Sequence, residues 1–264
     1  VTLRQPASAY THVPQLAGVP CHPDVDLRRP DALPTVLADV RPDAVINAVG
    51  LVKQRREGQT SAPAIELNAL LPHRLATQCR AAGARFVHLS TDCVFSGSRG
   101  AYTETDHPDA RDVYGMTKLL GEVQDGSALV LRTSIIGLEL KGRGSLVEWF
   151  LAAAGEVRGF RRAIYTGLTT METARLVDQL LREHPGLHGV WHAASEPITK
   201  YDLLHELAAR LARADVTVVP DDTFACDRSL RADRLRDATG YTAPSWDQML
   251  TELVQRIQER ETAT

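Results

Sequence analysis

Short apolar runs alternate with longer stretches of helical periodicity, and this alternation restricts the fold more than any single residue does. Ala44–Val49, Arg85–Ser90 and Ala128–Arg132, with Val190–Ala193 later, are each short and rich in Val, Ile, Leu or Phe. Strands buried on both faces read this way, because helices cover a parallel sheet above and below. The repetition therefore predicts an α/β fold with a parallel sheet. Val1, Thr2 and Leu3, where the chain begins without Met, also read as strand.

Helical patterns fill the gaps. Asp31 is placed to cap a helix over Ala32–Val40, with Pro34 tolerated in its first turn. Ala64–Ala82 is helical and ends at Gly83, but Pro72 is expected to break or offset it. Further helices are expected at Val113–Val123, Ser145–Ala153, Thr170–Arg182, Thr199–Leu211 and Asp247–Arg260. After about Arg132 the strands thin out and Gly, Arg and Thr-rich loops appear. The expected division is a nucleotide-binding layer over 1–134 and a smaller substrate-binding portion over 135–264.

Composition removes several classes. The chain has 264 residues, 44% hydrophobic and 24% charged, which excludes disordered and fibrous proteins. Its formal net charge of −3 gives no general attraction to nucleic acid or to an anionic membrane. The pairs Arg55-Arg56 and Arg161-Arg162 read as solvated surface. Cys21, Cys79, Cys93 and Cys226 form no CxxC pair and no metal-ligand spacing, so free thiols and no metal are expected. No apolar run approaches the roughly 20 residues of a membrane span. No basic-then-apolar signal pattern opens the sequence, and none is expected. A cytoplasmic setting is expected.

The strongest chemical signal is Tyr114-Gly115-Met116-Thr117-Lys118. Residues four apart share a helix face. An ammonium beside a phenol favours the phenolate, lowering its pKa toward working pH. A phenol so placed exchanges a proton with an alcohol or ketone oxygen. Upstream, the apolar strand Phe86–Leu89 runs into Ser90-Thr91-Asp92, 23 positions from Thr91 to Tyr114. Ligands gather at the carboxyl ends of parallel strands, where a Thr91 hydroxyl and the phenol would bracket one substrate oxygen. The alternative for Ser90-Thr91-Asp92 is a cap or turn, although Phe95-Ser96-Gly97-Ser98 reads as loop. One strand earlier, Asn47-Ala48-Val49-Gly50 offers small residues for close backbone approach. Asn68 is polar within an apolar helical stretch, where the alternative to a functional role is a bond to a local carbonyl.

Together these segments resemble the extended short-chain dehydrogenase/reductases. Within them the chain is most similar to the dTDP-4-dehydrorhamnose reductase-like sugar-nucleotide reductases. The marks are Ser90-Thr91-Asp92-Cys93-Val94-Phe95, Tyr114 through Glu122, Leu131-Arg132-Thr133-Ser134, Gly189 through Ala193 and Arg228-Ser229-Leu230. The resemblance spans Val1 to about Met249.

The resemblance implies a Rossmann-like doubly wound sheet and NADPH, or NADH, as cofactor. Tyr114 would protonate the keto oxygen, Lys118 would hold the nicotinamide ribose, and Thr91 would bond the same substrate oxygen. Asn47, Ala48, Val49, Ser90 and Asn68 would line or support the cofactor, with Asp26-Leu27 beside adenine. Arg132-Thr133-Ser134 would close over nicotinamide, and Arg4 would meet a 2′-phosphate. Asp92, Val147, Trp149, Gly167, Thr169, Thr170, Arg228 and Ser229 would line the nucleotide-sugar site. Arginine suits a diphosphate because its fork bonds two oxygens at once. The implied reaction is reduction of a nucleotide-linked 4-keto-6-deoxysugar. A nucleotide-sugar 4-epimerase and a non-catalytic regulatory subunit of the same fold stay open, as does a homodimer.

Two departures stand out. Cys93 occupies a position where such reductases often carry Tyr. None of the 18 glycines forms a Gly-x-x-Gly-x-x-Gly turn between a strand and a helix. The resemblance implies that such a unit, about 25–30 residues by the usual size of a βα step, belongs ahead of Val1.

Overall fold

The computed structural model describes residues 1–11, 13, 16–29, 31–52, 60–140 and 144–262. Along the chain come α1 (Ala32–Val40), β1 (Ala44–Asn47), α2 (Ser61–Ala64), a π-helical turn (Ile65–Leu70), α3 (Leu71–Ala81) and β2 (Arg85–Leu89). A 3-10 turn (Asp92–Val94), α4 (Val113–Leu120), β3 (Leu129–Arg132), β4 (Ile135–Ile136), α5 (Leu146–Leu151) and β5 (Gly155–Tyr165) follow. The remainder is β6 (Leu168–Thr169), α6 (Thr170–Glu183), β7 (Gly189–His192), β8 (Ile198–Thr199), α7 (Lys200–Arg210), β9 (Val216–Asp227), α8 (Asp233–Thr239) and α9 (Trp246–Thr262). The Arg55-Arg56 pair lies outside the described residues.

The expected parallel sheet is present, with strands in the order β1-β2-β3-β7. Val87, Leu129, Leu131 and Trp191 from three of these strands pack against Leu176, Val177 and Leu180 of α6. On the opposite side Phe86 and Val130 meet Leu33 and Leu37 of α1 and Leu75 and Cys79 of α3. Helices on both faces explain why these strands carry apolar residues at successive positions.

Four expectations need correction. Val1–Leu3 is not a strand of this sheet: it forms one parallel bridge, Thr2 to His22, bounded by Leu3 N–H to His22 O and His22 N–H to Val1 O, both 2.8 Å. Pro6 lies three residues on and has no N–H to extend a ladder. A cut after residue 134 also fails to match the sheet, because Gly189–His192 returns to pair with β3 as its fourth strand.

The strands do not thin out after Arg132. β5 and β9, of 11 and 12 residues, lie parallel with β8 on the far side of β5. Only one face of this ribbon is apolar: Val157 and Val216 pack with Leu203, Leu204 and Leu207 of α7. Arg158–Asp221 and Arg161–Asp222 ion pairs cross between the two strands, with both arginines exposed. These charged residues hide the strands from a search for apolar runs.

Pro72 offsets its helix without breaking it. It follows the π-helical turn Ile65–Leu70, which leads directly into α3. A proline cannot donate to the carbonyl four residues back, which here belongs to Asn68. Gly121, immediately after α4, packs against that carbonyl so closely that a Cβ would clash with it. The helix expected over Val113–Val123 therefore stops at Leu120. The N-terminus of α4 is equally tight, because a Cβ on Gly115 would overlap the Cys93 carbonyl.

Gly121→Ala is expected to lower the unfolding free energy by about 1–3 kcal/mol, the usual cost of overpacking. Urea denaturation checks this, and a midpoint equal to wild type would show that the two helices separate freely.

Candidate active site

The carboxyl ends of β1, β2 and β3 converge on α4. Asp112 caps that helix, its carboxylate accepting from the Gly115 N–H at 3.0 Å. The close approach at Gly115 brings Tyr114 against the segment after β2. The loop expected after Thr91 favours a substrate-ligand role for its hydroxyl over a capping one. A 3-10 turn does follow, and Thr91 caps it, accepting from the Cys93 N–H at 3.1 Å. Its hydroxyl lies 3.2 Å from Asp92 Oδ1 and also faces the Tyr114 phenol in hydrogen-bonding position. Capping and facing Tyr114 are thus compatible.

The electrostatics differ from the expected phenolate. Burial raises the Tyr114 pKa, and Cys93, Asp92 and Asp112 add to the shift. Lys118 does not offset this: its Nζ donates to the Leu89 carbonyl at 2.6 Å. Burial lowers the Lys118 pKa to about 8, while the Glu122 carboxylate supports its charge. The arrangement holds a neutral phenol that can donate, next to an ammonium that readily loses its proton.

Glu122 received no role from the sequence, although it shares a helix face with Lys118 four residues earlier. Its carboxylate accepts from Arg132 Nε at 2.8 Å, Arg132 Nη2 at 2.7 Å and Ser90 Oγ at 2.7 Å. Ser90 and Arg132, expected at the cofactor, thus spend these groups on a buried ion pair beneath the site. Thr133 is buried, with its hydroxyl on the Ser134 carbonyl, whereas Ser134 lines the cleft.

The asparagines act on backbone. Asn47 Oδ1 accepts from Val49 N–H at 3.1 Å, and its Nδ2 lies 3.0 Å from His88 Nδ1. This shapes the turn that leaves Ala48 and Val49 exposed at the end of β1. Asn68 accepts from Leu51 N–H at 2.7 Å and donates to Leu51 O at 3.0 Å and Thr117 Oγ1 at 3.3 Å. It fastens the loop after β1 to α4. Asp26 is held by Arg28, which lowers its pKa to about 2, with Arg4 near enough to contribute. Leu27 packs on the core beside α1.

A cleft of about 1050 Å³ opens above these strand ends. Asp92, Ser134, Thr170 and Arg228 line it, as do Tyr165 and Lys200, which the sequence did not mark. Arg228 anchors Nε on the Phe95 carbonyl at 2.9 Å. Other expected substrate residues lie elsewhere. Val147 is packed in the core with Phe150 and Leu203. Thr169 caps α6, accepting from Glu172 N–H at 3.3 Å. Ser229 is tied to Asp227 and to Ala101 N–H. Gly167 packs between the Ser134 carbonyl and the Tyr165 ring. Trp149 is exposed in a neighbouring recess, with Lys200 Nζ 4.8 Å from its ring centroid. Val147, Thr169 and Ser229 thus meet local packing, capping and hydrogen-bonding demands instead.

No described helix is long and apolar enough to cross a membrane. Among the described residues, no group of three or more His, Cys, Asp or Glu is gathered to hold a metal.

Comparison with known proteins places these features. The model of the RmlD substrate binding domain matches residues 8–259. A probable dTDP-4,6-dihydroxy-2-methyloxan-3-one 4-ketoreductase of Streptomyces antibioticus is 36% identical over 216 residues, 78% of this chain and 72% of that protein. A dTDP-4-dehydrorhamnose reductase of Clostridium acetobutylicum superposes with a TM-score of 0.77 at 24% identity, covering 92% of this chain and 93% of that one. The Bacillus anthracis dTDP-4-dehydrorhamnose reductase, solved in complex with NADP, has a TM-score of 0.78 at 19% identity, covering 97% and 98%. The last two likenesses concern the fold.

Because the Lys118 pKa is lowered to about 8, its charged form is lost as pH rises through that value. Where the ammonium supports turnover, kcat/KM is expected to fall on the alkaline side near pH 8. Glu122→Gln removes the carboxylate that supports the charge, so the fall moves to lower pH. A pH–rate profile of both proteins checks this, and coincident alkaline limbs would contradict it.

Proposed function

Since this chain belongs to the RmlD substrate-binding-domain family, we propose that it is an NAD(P)-dependent oxidoreductase that reduces the 4-keto group of a nucleotide-linked 4-keto-6-deoxysugar. The observation that carries this reading is the pairing of Tyr114 with Thr91, with Lys118 one helical turn away, at the carboxyl ends of a parallel sheet and beside a cleft that Asp92 and Ser134 line. The names of the relatives point to the same substrate class.

The residues fit the nicotinamide-ribose end of a dinucleotide. Lys118 uses one proton on Leu89 O, and an ammonium has two more to give. The turn at Ala48–Gly50 has small side chains where backbone must approach a ligand. Among the described residues no glycine-rich turn joins a strand to a helix ahead of β1. The pyrophosphate end is therefore matched only by the β1 turn. When bound, the cofactor supplies a hydride to the carbonyl carbon.

The chain's own residues handle the oxygen. The Tyr114 phenol, kept protonated by burial, donates to the keto oxygen and passes its proton there as negative charge develops. The Thr91 hydroxyl stabilises the resulting phenolate, because a hydrogen bond to the charged form favours it. The Lys118 ammonium, one helical turn away on the same face, would hold the nicotinamide ribose. Arg228, beside Asp92 and Cys93 in the cleft lining, is suited to the diphosphate of the substrate.

Tyr114→Phe is expected to reduce turnover at least ~100-fold, the usual scale for a general acid. NADPH oxidation with dTDP-4-dehydrorhamnose measures it. Equal rates for both proteins would remove Tyr114 from the mechanism.

A further inference from the structure

Tyr165 ends β5 in the lining of the cleft and pairs in register with Ile198 of β8. Its ring is held from several directions. Trp246 meets it edge-on at 5.7 Å between centroids, and the Trp246 indole is itself anchored on the Glu196 carbonyl at 2.7 Å. On another side a Cβ at Gly167 would come within 3.1 Å of the ring. The phenol therefore has little freedom to turn away from the position it occupies.

Its hydroxyl is the anomaly. The oxygen is buried, and among the described residues it has no hydrogen-bond partner. A buried polar group left unpaired is destabilising, and a phenylalanine would fill the same wall without that penalty. Yet Tyr165 belongs to the lining of the cleft, with Asp92, Ser134 and Arg228. The other unpartnered buried atom among the described residues, His88 Nε2, lies within β2 and is not part of this cleft's lining. An unpaired hydroxyl on a fixed ring at a ligand-sized cleft is explained by a polar group that arrives with the ligand.

Two features define that group. Burial and the neighbouring Asp92 raise the Tyr165 pKa, so the phenol stays protonated and is available as a donor. Of the charged groups in the cleft lining, Asp92 acts on the Tyr165 hydroxyl and disfavours negative charge there, while Arg228 acts on Asp92 and Cys93. The partner is therefore a neutral oxygen. Asp92 adjoins Thr91, which faces Tyr114, so the hydroxyl stands on the side of the reacting carbonyl.

We propose that Tyr165 is a substrate-positioning residue whose hydroxyl donates to a neutral sugar oxygen next to the reacting carbonyl. The proposal rests on the reductase reading and extends it to the sugar itself. It distinguishes sugar contacts from nucleotide contacts: Tyr165 reads the former, Arg228 the latter.

Tyr165→Phe removes the hydroxyl alone. Binding of dTDP-4-dehydrorhamnose and of dTDP is measured by calorimetry, with turnover and melting temperature followed in parallel. The expected result is at least about tenfold weaker binding and a correspondingly higher KM for the sugar nucleotide, with dTDP binding unchanged. The melting temperature should be equal or higher, because an unpaired buried hydroxyl has been removed. Equal affinity of both proteins for the sugar nucleotide overturns the proposal, as does equal weakening of dTDP. A lower melting temperature with both ligands weakened would reveal a packing role and also overturn it. The underlying reading is judged separately on wild-type protein. Hydroxyl-dependent binding without any NADPH oxidation upholds Tyr165 and rejects the reductase, whereas turnover with no Tyr165 effect does the reverse. Failure of wild type to bind the sugar nucleotide rejects both.

Discussion

The Glu122 carboxylate ties together the ends of the strands on which the site is built. It takes both Arg132 nitrogens from the end of β3 and the Ser90 hydroxyl just beyond β2. Arg132 continues to His192 at the end of β7, 3.4 Å away. Such a pair is costly to bury and is tolerated when its hydrogen-bonding groups are matched. Glu122 is 4% exposed and Arg132 3%, so loss of either partner would leave an uncompensated charge in the interior. The pair also sets the charge beneath Lys118. The helix that bears Tyr114 is thereby located against the strand ends by an interaction that contains neither Tyr114 nor Lys118.

Close backbone packing completes the location. Gly115 admits the Cys93 carbonyl at the start of α4, and Gly121 admits the Asn68 carbonyl at its end. Asn68 presents that carbonyl because Pro72 cannot bond it, and its side chain clasps Leu51 and Thr117. The proline, the π-helical turn and the glycine are parts of one fit between two helices. The chemical consequence is burial of Tyr114, which keeps its phenol neutral. A neutral donor suits protonation of a ketone, whereas a resting phenolate would suit the reverse reaction.

Much of this was legible from residues in order. The four sheet strands announced themselves because burial on both faces demands uninterrupted apolar side chains, as at Leu129–Arg132. Tyr114 and Lys118 were visible through helical spacing, and Thr91 through its place at a strand end. β5 and β9 were not visible, because Arg158, Arg161, Asp221 and Asp222 neutralise one another across strands, and that pairing depends on a partner about 60 residues away. Nor was the fate of Ser90 and Arg132, whose partner Glu122 could be placed only once α4 lay across the strand ends.

The sequence by itself determined the fold class, the strands of the parallel sheet and the helical spacing of Tyr114 and Lys118, because periodicity and side-chain chemistry are local. Tertiary structure alone decided which polar side chains serve the site and which serve the scaffold. Ser90, Arg132 and Ser229 were drawn into internal hydrogen bonds, while Tyr165 reached the cleft with its hydroxyl unpaired. That choice depends on distances between segments far apart in the chain, and on how much water each group loses when they meet.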